Sequence, residues 1–69
     1  MRPKPSHFGR RLLELRKWVR LTPEELGERC GVHPIQLRKY ENGDAQDPRL
    51  STVLKIAAAL GVSVDRLLG

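Results

Sequence analysis

One cysteine, one phenylalanine, one tyrosine and one tryptophan are all that this chain of 69 residues holds of the cross-linking and aromatic types. Cys30 has no partner for an internal disulfide, and no pair of Cys or His residues stands at metal-ligand spacing, so neither a crosslink nor a metal ion is expected to staple the fold. Few aromatic and β-branched residues leave little strand material, and the length allows one domain in which every apolar position must count. An all-α chain is the expectation. No apolar run approaches a membrane span, and the opening MRPKPSHFG lacks the hydrophobic stretch of a signal peptide. A cytoplasmic setting is the expectation, with no membrane partner. Catalytic groupings are missing too. Glu24, Glu25 and Glu28 read as capping and surface groups with no partner arranged for chemistry, so neither an enzyme nor a cofactor is expected.

Positive charge is present, but unevenly. Of the net +5, residues 1–20 supply seven Lys/Arg against one acid, residues 21–43 three against four, and residues 44–69 three against three. The excess sits at the N-terminus, where Arg10, Arg11, Lys17 and Arg20 read either as phosphate contacts for a polyanionic partner or as a solvated helix face.

Residues 1–6, with two prolines and two basic residues, read as a flexible arm, and residues 7–69 as the folded domain. Phe8, Leu12, Leu15 and Val19 recur at helical spacing and predict a first helix over 7–19. Thr22-Pro23 with Glu25 three residues on predicts a sharp helix start, and Gly31 its end. His33-Pro34 repeats the start signal for a helix over 34–41, closed by Asn42-Gly43. Leu50, Val53, Leu54, Ala57 and Leu60 mark a fourth helix ending at Gly61, and Ser63 caps a short fifth.

The informative stretch is residues 23–42, PEELGERCGVHPIQLRKYEN. Leu26, Cys30, Leu37 and Tyr40 fall on inward positions, Gly27 admits a neighbouring helix closely, Gly31 turns the chain and Val32 plugs the corner, as two steeply crossing helices require. Cys30 is therefore expected to be a buried, inert thiol. Ile35, Gln36, Arg38, Lys39 and Asn42 are left facing out, on a helix able to enter a major groove.

With LTPEEL, CGV, KYENG and ALGVSVDRLL in place, residues 8–69 resemble the helix-turn-helix domains of the lambdoid phage repressor and Cro type, an XRE-like family. The resemblance implies a compact five-helix bundle that binds double-stranded DNA as a transcriptional regulator, a repressor foremost, and that dimerises on a palindromic operator. It implies base-reading positions at Pro34, Ile35 and Lys39 with Gln36 and Arg38 beside them, a charged pair between Arg16 and Glu41, and a homodimer surface at Leu67 and Leu68. Pro34, Ile35, Asp44 and Asp47 depart from the polar or basic residues common in the family. They favour a second reading: a protein-interaction module or antitoxin-like partner protein on the same fold, with Trp18 and Leu13 as its contact surface. Trp18 off the main apolar stripe reads either as such an anchor or as a side chain partly buried on the arm or last helix.

Overall fold

The computed structural model describes residues 7–69, so the expected N-terminal arm lies outside the described residues. Five helices follow one another: α1 His7–Trp18, α2 Pro23–Cys30, α3 Pro34–Asn42, α4 Leu50–Leu60 and α5 Val64–Leu68. Among the described residues there is no strand, and no helix is long and apolar enough to cross a membrane.

Local chemistry accounts for most of the boundaries. Thr22 Oγ1 accepts from the Glu25 N–H at 3.1 Å while Glu25 Oε1 accepts from the Thr22 N–H at 2.9 Å, a reciprocal capping box ahead of Pro23 in the first turn of α2. The helix ends where Gly31 takes φ 72°, a left-handed conformation that glycine adopts without penalty. His33 caps α3 through Nδ1, which accepts from the Ile35 N–H at 3.1 Å, and Ser63 caps α5.

The helices close around a single core. Leu12, Leu26, Leu37, Ile56 and Leu67 are the large side chains shut completely from solvent, one from each helix. Burying each contributes about 1.5–3 kcal/mol, a substantial share of what holds a domain this small. Phe8 and Tyr40 join α1 to α3 edge to face, ring centres 5.3 Å apart. Contacts link α1 with α3 and α5, α2 with α3 and α4, and α4 with α5.

Three side chains lie elsewhere than their spacing predicts. Val19 is outside α1 and 36 % exposed, because the chain reverses at Arg20 and carries Leu21 into the core instead. The reversal is a Schellman turn, with Arg20 N–H bonded to the Lys17 carbonyl and Leu21 N–H to that of Arg16. In α4 the buried face is Val53, Ile56, Ala57 and Leu60, whereas Leu50 and Leu54 stand 65 % and 50 % exposed. Apolar residues surround most of that helix, so spacing alone left its inward face ambiguous.

Arg20 holds φ 59°, the left-handed region in which a residue with a Cβ is strained by about 1–2 kcal/mol. The same turn after α4 uses Gly61 at φ 72°. Arg20→Gly relieves the strain but adds freedom to the unfolded chain. It is therefore expected to raise stability by up to about 1 kcal/mol in urea unfolding; a loss of stability would show that the Arg20 side chain contributes contacts outweighing its backbone strain.

Candidate nucleic-acid interface

The α2–α3 corner is set by small residues. A Cβ added at Gly27 would stand 2.5 Å from the Val32 carbonyl oxygen and 3.2 Å from the Pro34 ring, so only glycine admits the following turn this close. Pro34 is consequently half-buried against α2, which gives its ring a packing role as well as a place at the start of α3.

One side of α3 is anchored by Leu37, Tyr40 and Glu41, all buried. The other carries Ile35, 55 % exposed, and Lys39 one turn on, also exposed, with half-buried Gln36 beside them. Two outward residues are already engaged. Arg38 is paired with Glu24 of α2, and Asn42 Oδ1 accepts from the Asp44 N–H at 2.9 Å, forming the turn that leaves the helix. Asn42 thus serves the loop with its carbonyl and keeps only its amide N–H groups for a ligand. The Glu24–Arg38 link left no mark in spacing, because the residues are 14 apart and on different helices.

Behind α3 lies its brace. Arg16 donates from Nε and Nη2 to both carboxylate oxygens of Glu41, at 2.7 and 2.9 Å, and from Nη1 to the Leu21 carbonyl at 2.8 Å. The Glu41 hydrogen bonds raise the guanidinium pKa further, against the opposing effect of burial. Arg16 therefore faces inward toward α3, while Arg10 and Lys17, seven residues apart on one face of α1, are exposed.

Trp18 is 82 % exposed, which sets aside partial burial on α5. Leu67 is fully buried and cannot supply an interface; its neighbour Leu68, 46 % exposed, remains available. The reason is the position of α5, where only one of two adjacent leucines can turn toward α1 and α4. Cys30 is buried, and among the described residues no group of His, Cys, Asp or Glu could hold a metal ion.

These features define a helix-turn-helix domain: two short helices crossing at a glycine-closed corner, the second held from behind and exposed in front. A family model described as Helix-turn-helix matches residues 12–67, and this chain belongs to that family. It is 36 % identical over 63 residues to an uncharacterised HTH-type transcriptional regulator, RghRB, of Bacillus subtilis, covering 91 % of this chain and 45 % of that one. It is 34 % identical over 59 residues to the cryptic phage CTXphi transcriptional repressor RstR of Vibrio cholerae, covering 86 % and 52 %. The chain spans about half the length of the curated relatives it matches. Among solved structures, the N-terminal DNA-binding domain of SinR from Bacillus subtilis superposes with a TM-score of 0.86 at 32 % identity, over 93 % of this chain and 94 % of that one. Hydroxypropylphosphonic acid epoxidase of S. wedmorenis carries the same arrangement, with a TM-score of 0.83 at 25 % identity over all of this chain and 36 % of the enzyme.

Two predictions test this architecture. Removing one member of a buried pair leaves the other uncompensated, so Arg16→Ala should cost about 3 kcal/mol and lower the melting temperature by more than about 10 °C, with Arg16→Lys falling in between. A mutant that melts like the parent would show the brace to be dispensable. The capping box carries its own signature, because hydrogen bonds from the Thr22 backbone and side chain hold the Glu25 carboxyl below its ordinary range. Its stabilisation is full above the ordinary carboxylate range and fades as pH falls through the lowered value. Glu25→Gln keeps the box and removes the titration, so thermal unfolding between pH 2 and 6 should lose part of its acid limb; an identical profile would refute the assignment.

Proposed function

We propose that this domain binds double-stranded DNA sequence-specifically as a transcriptional repressor, seating α3 in the major groove. The observation that carries the reading is the two-sided α3: Leu37, Tyr40 and Glu41 lock its inner side while Ile35, Gln36 and Lys39 stand on its outer side. In this arrangement Lys39 donates to base-edge acceptors or to phosphate, and Ile35 offers an apolar contact to a thymine methyl. Pro34 contributes surface at the helix start, and Arg10 and Lys17 grip the backbone. The relatives named as transcriptional regulators and the phage repressor support the same function.

The domain acts as a homodimer on a palindromic operator. An apolar stripe outside the core supports this: Leu50, Leu54 and Ala58 recur at four-residue intervals on the exposed face of α4, and Leu68 is open on the adjoining α5. Two α3 helices would then lie about 34–36 Å apart, one turn of DNA. The domain itself needs no cofactor and catalyses nothing. The exposed Trp18 favours a second role, docking of a partner protein on the α1 end.

Selection of the purified chain against random duplexes near physiological salt is expected to enrich a palindrome with half-sites one turn apart. On the enriched site Lys39→Ala should weaken binding about 5- to 150-fold, the cost of losing a good base contact. Absence of enrichment, with only weak binding that salt erases, would overturn the DNA reading and favour the partner surface at Trp18.

A further inference from the structure

The N-terminus of α2 has the makings of an anion site, since it lies beside α3 and carries the positive end of the helix dipole. Its cap donors are nevertheless spent. The Thr22 N–H goes to Glu25 Oε1, the Glu25 N–H goes to Thr22 Oγ1, and Pro23 has none. Arg38 donates from Nη2 to Glu24 Oε2, and this pairing, with the backbone of the first turn, holds the Glu24 carboxyl below its ordinary range. The carboxylate therefore sits among the groups that otherwise receive a phosphate: the first turn of one helix and a guanidinium from the next. Both side chains remain about half open to solvent, 58 % for Glu24 and 49 % for Arg38, so a ligand can reach them.

We propose that Glu24 is an internal stand-in for a DNA phosphate, holding Arg38 against α2 in the free domain and giving it up to the DNA backbone on binding. The inference rests on the DNA reading above and adds to it a residue that limits affinity. The exchange is feasible because an exposed ion pair is weak in water, whereas each phosphate neutralised releases a condensed counterion. Charge points the same way. Residues 21–43 carry three basic residues against four acidic, and Glu24 tips that balance negative on the part of the molecule that approaches the polyanion.

Glu28 provides a matched comparison: it lies one turn along α2, is exposed, and has no ion pair among the described residues. Binding to the enriched duplex, or to a mixed-sequence duplex if none is enriched, would be measured by fluorescence anisotropy across a salt series. The proteins are the parent chain, Glu24→Gln, Glu28→Gln, Arg38→Ala and the double variant Glu24→Gln with Arg38→Ala. Glu24→Gln is expected to bind about three- to tenfold tighter than the parent and clearly tighter than Glu28→Gln, with a salt slope steeper by about one. Arg38→Ala should cost the parent less affinity than it costs Glu24→Gln and should abolish the gain of the latter, a non-additivity that a general charge effect does not produce. The melting temperature of the glutamine variants should stay within a few degrees of the parent, as for an exposed pair.

Equal affinities for the two glutamine variants, or the same loss from Arg38→Ala in both backgrounds, would overturn the stand-in role while leaving DNA binding intact. No binding by the parent or any variant would overturn DNA binding, and the stand-in with it.

Discussion

The structure depends on one small core to which every helix contributes a single completely enclosed aliphatic side chain: Leu12, Leu26, Leu37, Ile56 and Leu67. Among the described residues of this short chain there is no second cluster to take over if one is lost, and no disulfide or metal cluster assists it. The five meet at one place, so the orientation of each helix follows from the others. α3 is fixed in the same act, since Leu37 is one of the five. A presenting helix this short would not persist in water by itself.

A charged clamp reinforces that packing: the planar fork of Arg16 meets both oxygens of Glu41 while its third donor is held by the Leu21 carbonyl. The brace ties the last turn of α1 and the chain reversal after it to the far side of α3. A basic residue that composition counts toward a polyanion is thus spent inside the fold, while Arg10 and Lys17 on the same helix stay exposed. The outer side of α3 inherits its rigidity from this inner side, and that is the condition for reading bases at defined positions.

The same economy shapes the α2–α3 corner. Gly27 lets Pro34 and Val32 approach, Pro34 gives up open surface to that packing, and Glu24 occupies the α2 N-terminus together with Arg38. On the DNA-binding role proposed above, acidic and apolar residues where a basic surface would bind more tightly moderate the grip, with specificity assigned to Lys39, Gln36 and Ile35 and avidity to the proposed pairing of two copies.

Much of this was legible from residue order, for a physical reason. Helix starts and stops rest on local chemistry: an oxygen at Thr22 or Ser63, a ring at Pro23 or Pro34, a left-handed glycine at Gly31 or Gly61. These groups act on backbone atoms a few residues away, so sequence by itself determined the five elements, the glycine-turned corner between α2 and α3 and the exposed side of α3. Choices that depend on a neighbouring element belonged to the tertiary structure. In α4, where apolar residues run almost all the way round, contact with α2 and α5 decided that Ile56 is core and that Leu50 and Leu54 are surface. The reversal at Arg20 decided for Leu21 over Val19, and the seat of α5 decided for Leu67 over Leu68. Only the folded chain brought Arg38 to Glu24 across the corner, because hydrophobic periodicity records which side of a helix is buried and carries no information about which charge on the open side will meet another.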